Sequence, residues 1–238
     1  MEAKLSELVN RLKAAAGDNL KSVLLYGSAV SGEFQAEHSD LNVLCIVERA
    51  GAADLERLHP VAEWWMKERN PEPLVFTLEE LQRSADIFAI EMVDIKRHHR
   101  MLLGTDFLER FDVPMRLHGL QVERELRAGW LRLRRAVLAA PQSKKAHLGI
   151  MMESVAALCV LFRHAMLAVG QAMPGNKREA VDAVASLSGG NPAGFHTILD
   201  LRAGNCKGKE IDIEATLATY LEFVEVVTNE VDRRLEAK

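Results

Sequence analysis

The sequence predicts an α+β protein, with a small mixed-sheet domain over residues 1–110 followed by an all-α helical bundle over residues 111–238. Three observations carry that expectation. In the first hundred residues, short apolar runs of strand length alternate with segments of helical periodicity. After Pro114 only long helical periodicities remain, punctuated by Pro141, Pro174, Gly189-Gly190 and the stretch from Gly204 to Gly208. A chain of 238 residues is long enough to bury two modest cores.

Taken in order, Leu5, Leu8, Val9 and Leu12 recur at helical spacing, which predicts a helix over residues 3–16 that stops at Gly17-Asp18-Asn19. Residues 22–26 read as a strand broken by Gly27-Ser28, with a short helical turn from Ala29 to Phe34 and a polar loop from Gln35 to Ser39. Residues 40–47 are nearly all apolar after the first three, as in a central strand covered on both faces. A helix over 53–69 carries Leu55, Leu58, Val61, Ala62 and Trp65 on one stripe, and Asn70-Pro71-Glu72-Pro73 ends it. A third strand is expected over 74–78, then a helix to Ala85 opened by Thr77 with Glu79 and Glu80 in its first turn. Residues 88–95 are read as a fourth strand. Helices follow over about 115–140, 144–170, 176–187, 192–203 and 211–236.

Composition narrows the function. Hydrophobic residues at 48% and charged residues at 27% are ordinary for a globular chain and exclude a disordered one. A net charge of −4 argues against a dedicated nucleic-acid binder. No run reaches the roughly 18 apolar residues needed to span a bilayer. The opening MEAKLSELVNRLKAAAG reads as a charged amphipathic segment rather than a signal peptide, so a cytoplasmic location without a membrane partner is expected. Cys45, Cys159 and Cys206 are unevenly spaced, as buried free thiols are, rather than arranged as a disulfide framework or metal site.

Chemistry concentrates in LLYGSAVSGEFQAEHSDLNVLCIVE, residues 24–48. Transfer of a nucleotidyl group needs charge relief for a triphosphate and an in-line approach by a hydroxyl. Mg²⁺ supplies much of that relief and is held by one or two carboxylates together with the substrate phosphates. A strand places residues i and i+2 on one face, so an Asp-x-Asp pair would present two ligands side by side; here Asp40 and Asn42 stand at that spacing. The turn at Gly27-Ser28 lets backbone N–H groups approach phosphate, with the Ser28 hydroxyl as a further donor.

Tyr26-Gly27-Ser28, followed after eleven residues by Asp40-Leu41-Asn42-Val43, resembles the signature of the DNA polymerase β-type nucleotidyltransferase superfamily. That signature is a Gly-Ser pair followed about ten residues later by Asp-x-Asp or Asp-x-Glu. The resemblance covers roughly residues 20–107 and implies a minimal α/β nucleotidyltransferase-like domain using a nucleoside triphosphate with Mg²⁺ and a small-molecule hydroxyl acceptor. It also implies a third carboxylate on a neighbouring strand, assigned to Glu91 with Asp94 as the alternative, since the two lie on opposite faces of an ideal strand. The helical half is similar to the bundle that follows this domain in aminoglycoside nucleotidyltransferases and in HEPN-like helical proteins. The Arg-to-His spacing that HEPN-type ribonucleases use is missing from it.

At the position of the second acid stands the amide Asn42. A neutral oxygen can still bind Mg²⁺, but one negative charge is lost where a charged transition state must be stabilised. Three readings stay open: an enzyme that manages with Asp40, Asn42 and Glu91, a nucleotide-binding protein without transfer activity, and a structural or protein-interaction module.

The remaining clusters read more simply. Lys96-Arg97-His98-His99-Arg100 is either a device steering a triphosphate or a solvated helix face, and His98 with His99, being adjacent, make a poor metal pair. The basic stretch from Arg124 to Lys145 has only Trp130 as an aromatic and reads as the wet face of a helix whose core side carries Val122, Leu126, Leu133 and Val137. The nearly all-apolar segment HLGIMMESVAALCVLFRHAMLAV is either the central helix of the bundle or a dimer seam, and a homodimer is expected.

Overall fold

A computed structural model describes residues 1–31 and 40–237 of the chain. Gly32 and the expected loop from Gln35 to Ser39 lie outside the described residues. The chain divides into two compact units, Met1–Met115 and Arg116–Lys238.

The first unit is built on a four-stranded mixed sheet of order β3-β2-β1-β4. Its strands are β1 (Leu20–Tyr26), β2 (Asn42–Val47), β3 (Leu74–Thr77) and β4 (His99–Leu103). β1 pairs antiparallel with β2 and with β4, whereas β2 and β3 run parallel. The parallel pair needs a crossover, and the helix α3 (Ala52–Lys67) supplies it. On one face of the sheet, Leu5, Leu8 and Leu12 of α1 (Glu2–Ala16) and Leu58, Val61 and Trp65 of α3 pack against Val23, Leu25, Val43, Cys45 and Val47. The other face carries Leu24, Leu44 and Ile46 and is closed by Leu81, Met92, Ile95, Leu108 and Phe111. Strand residues of alternating parity therefore enter two separate cores, as a pleat requires. Of the adjacent tryptophans, Trp65 is fully buried and Trp64 lies at the edge beneath the Arg11 guanidinium.

Helix α2 (Ser28–Ser31) is a single turn, and α4 (Leu78–Ser84) opens with a capping box. There Glu80 N–H donates to the Thr77 hydroxyl at 3.1 Å, and Thr77 N–H donates to the Glu80 carboxylate at 2.8 Å.

The expected strand over 88–95 is corrected. These residues form helix α5 (Ala89–Arg97), burying Ala89, Ile90, Met92 and Ile95. The run is too short for periodicity to decide, because its apolar residues satisfy both a period of two and a stripe of 89, 92 and 95. The fourth strand lies beyond it, within what reads as a basic cluster. Arg100 pairs with Leu25, and its guanidinium forms an ion pair with Glu2. Phe111 packs in the same core as Leu108, within the first unit, which spans Met1–Met115.

The second unit contains α6 (His118–Ala139), α7 (Lys144–Ala168), α8 (Lys177–Ser188), α9 (Ala193–Arg202) and α10 (Ile213–Glu236). Ser143, Asn176 and Asp212 cap α7, α8 and α10 by accepting from backbone N–H groups of the first turn. Phe162, Phe195, Tyr220 and Phe223 form the aromatic centre, where the Phe195 and Tyr220 rings stack at 4.0 Å. On α6, Arg127 pairs with Glu123 on the same helix and with Asp232 of α10, and Arg124 pairs with Glu125.

α7 corrects a second expectation. It contains an 18-residue window long and apolar enough to cross a membrane by length and composition. Half of that window is buried inside the protein, where α7 packs against α6, α8, α9 and α10.

Candidate functional site

One row of residues across the sheet organises the site. In β-ladder register Tyr26 stands opposite Asn42 on one side and opposite His99 on the other, so all three project from one face. Leu41 and Val43, both buried in the core beneath α1 and α3, hold β2 so that Asn42 between them turns the opposite way. Entry into the strand is tied by a hydrogen bond from Leu41 N–H to the Asn70 side chain at 3.3 Å. Asp40 lies two residues upstream of Asn42 and is exposed.

Gly27 follows Tyr26 with φ at 81°, a left-handed conformation that a side chain rarely adopts. Its N–H donates to the His98 carbonyl at 3.3 Å, and its own carbonyl accepts from Val30 N–H at 3.0 Å. The turn comes so close to β2 that a β-carbon on Gly27 would stand 3.3 Å from the Asn42 amide nitrogen. Ser28 opens α2 immediately afterwards.

Glu91 reaches the site from α5, not from a strand. It is exposed in the first turn of that helix, and Asp94, three residues later, shares its side of the helix rather than opposing it. Glu91 lies close enough to Tyr26 to act on its phenol: burial first, then the Glu91 charge, pushes the Tyr26 pKa up to about 12. The structure thus brings Gly27, Asn42 and Glu91 to one end of the sheet around Tyr26. Ser28 and Asp40 enter through their chain neighbours.

His99 and Tyr26 are the participants that sequence reasoning did not single out as site residues. His99 Nε2 donates to Asp106 at 2.9 Å, while Nδ1 faces the carbonyls of Ile95 and Lys96 at 3.1 and 3.2 Å. This bond holds the Asp106 carboxyl below its ordinary range. No motif spacing signals such a pair, because it is made where a helix end meets the strand after it.

Among the described residues, no group of three His, Cys, Asp or Glu side chains stands close enough together to hold a metal. The oxygen donors here are the carboxylate of Asp40, just before β2, and the amide oxygen of Asn42, its first residue, with Glu91 near Tyr26. Hard oxygen donors of this kind suit Mg²⁺, but they are too few to complete its coordination without oxygens from another source.

Fold and strand register together define a nucleotidyltransferase-like α+β architecture carrying a helical unit. In particular, the chain is similar to a crystal structure of spectinomycin adenyltransferase AAD(9) from Enterococcus faecialis with ATP and spectinomycin. That match has a TM-score of 0.55 at 17% identity and covers 95% of this chain and 98% of that one. A toxin-antitoxin structure with AMP-PNP is matched over 56% of this chain and 98% of that chain, at 17% identity and a TM-score of 0.32. No family model matches the chain, and no curated protein matches it by sequence.

Proposed function

We propose that the chain is a nucleotidyltransferase-type protein that binds a Mg²⁺-loaded nucleoside triphosphate and transfers its nucleoside monophosphate to the hydroxyl of a small molecule, with a weakened site because Asn42 replaces an acid. The observation that supports this reading is the close approach of the Gly27 turn to Asn42, the two positions to which it gives phosphate and metal binding. The ATP held by the structurally similar adenyltransferase supports it.

In this reading Gly27 and Ser28 hold phosphate oxygens, Asp40 and Asn42 hold the metal, and Glu91 lies where an acceptor hydroxyl would give up its proton. The acceptor oxygen bonds to the α-phosphorus, the bond to the bridging oxygen breaks, pyrophosphate leaves, and the hydroxyl proton passes to Glu91. Mg²⁺, when bound, neutralises charge on the triphosphate. Tyr26, with its phenol held neutral, adds no negative charge beside the phosphates.

Calorimetric titration with Mg·ATP and Mg·GTP, repeated on Asn42→Asp, tests the proposal. Binding by both proteins with pyrophosphate released faster by the aspartate variant is the expected result. The alternative, an inactive nucleotide-binding or protein-interaction module, is favoured if Asn42→Asp leaves release at background, and heat from neither protein removes the nucleotide reading altogether.

A further inference from the structure

Beside Glu91 the first unit contains a cavity of about 240 Å³ between the β2–β3 side of the sheet and helices α4 and α5. Its wall is apolar: Leu44, Leu74, Phe76, Leu81, Phe88 and Met92 contribute, and Ser84 and Glu91 are its polar side chains. We infer that this cavity binds a compact apolar cation, a body of about bicyclic aromatic size carrying a protonated amine that meets Glu91.

Size comes first. A dry apolar cavity of about 150 Å³ accepts benzene. The larger space here suits two fused rings rather than one, and it falls short of the roughly 300–1,000 Å³ of drug-sized sites. The faces of Phe76 and Phe88 and the thioether of Met92 are surfaces on which a flat ring packs well.

Charge selects the polar end. The Ser84 hydroxyl already donates to the Glu80 carbonyl at 2.7 Å, which leaves Glu91 as the polar group able to orient a ligand. Two cations of α4 and α5 are engaged elsewhere, Lys96 bonded to the Phe111 carbonyl and Arg83 paired with Glu79. A carboxylate at the edge of an apolar pocket favours a cationic donor over a neutral one and repels an anion.

The rim points to an occupant as well. Leu74 and Phe88, both lining the cavity, remain 39% and 46% exposed. A ligand seated between them would cover apolar surface that the fold itself leaves in water.

Binding is inferred from the cavity alone; a role for such an amine as the nucleotidyl acceptor would rest on the function proposed above. The test is a fluorescence titration of the full chain with 2-naphthylmethylamine, 2-naphthalenemethanol and 2-naphthoate. The amine is expected to bind about tenfold more tightly than the alcohol, with the naphthoate weakest. Glu91→Gln should erase the advantage of the amine while leaving the alcohol bound. Ser84→Phe, which puts a ring into the cavity from its wall, should remove both, and Phe88→Ala, at an exposed position that folding tolerates, should weaken both about fivefold. Equal affinity for amine and naphthoate, or titrations indifferent to both Ser84→Phe and Phe88→Ala, would overturn the inference. A parallel Mg·ATP titration keeps the two proposals apart: amine binding without nucleotide binding sinks the transferase reading and leaves the pocket standing.

Discussion

Gly27 and Asn42 are packed so closely that a β-carbon on the glycine would lie 3.3 Å from the amide nitrogen of the asparagine. The contact joins a turn to the first residue of a strand fifteen positions later, and it depends on the pairing of Tyr26 with Asn42. Under the function proposed above, the amide stands where a second acid would, so substitutions at this contact test that proposal.

Replacing Asn42 with aspartate restores a negative charge without changing side-chain size. Pyrophosphate release at saturating Mg·ATP should rise by up to about a thousandfold, the equivalent of about 4 kcal/mol of transition-state stabilisation. Asp40→Asn should move the other way and weaken Mg·ATP binding measured by calorimetry. A release rate unchanged by Asn42→Asp would show that the position takes no part in the chemistry.

Gly27→Ala forces a side chain into the left-handed region and should cost about 1–2 kcal/mol, read from the urea midpoint. Gly104→Ala should be far worse. Its β-carbon would meet the Lys21 carbonyl at 2.1 Å and the Ser22 hydroxyl at 2.6 Å, where β1 and β4 meet, so the variant is expected to be recovered unfolded. Similar midpoints for the two variants would contradict this ordering.

The two tyrosines should both resist ionisation in the native state. Burial and Glu91 push Tyr26 up to about 12, and burial pushes Tyr220 higher still against the opposing bond to Ser154. A group whose folded pKa is raised contributes stability below its unfolded value near 10 and loses it as the pH climbs through the folded value. Absorbance at 295 nm should therefore stay flat to about pH 11 in the folded chain and rise near pH 10 in urea. An early phenolate signal from the folded protein would place one ring in water.

Acid stability should involve Glu230. Hydrogen bonds from Arg233, at 2.7 Å, and from Arg234, at 2.6 Å, hold its carboxyl down to about 2. A depressed carboxyl stabilises the fold above its unfolded value of 4.5 and loses that contribution as the pH falls towards the folded value. Glu230→Gln should accordingly unfold at lower urea than the natural chain at pH 7, with the gap closing by about pH 2. The side chain sits near the surface, so the gap should be small and should shrink in salt.

Thiol chemistry gives a simpler check. Cys45 and Cys159 are fully buried, and burial pushes the Cys45 pKa up to about 12, while Cys206 is half-exposed. Ellman's reagent should titrate one thiol in the folded chain and three after denaturation. Rapid reaction of two or more without denaturant would place a core cysteine at the surface.

Much of this protein was legible in the order of its residues. The leucines of α1, the apolar run of β2, the Thr77 cap and all five helices of the second unit follow from local periodicity and capping, which act over one or two turns of chain. The pairing of Gly27-Ser28 with Asp40 and Asn42 could be read as a candidate site because a turn and a strand entrance each carry a short-range signature. Tertiary structure alone decided that residues 89–97 coil as helix, that β4 arises from a basic stretch, and that Tyr26 sits between Asn42 and His99 while Glu91 arrives from a helix. An eight-residue run with two compatible periods takes whichever form buries it against its neighbours, and those neighbours are brought together only by contacts distant in sequence.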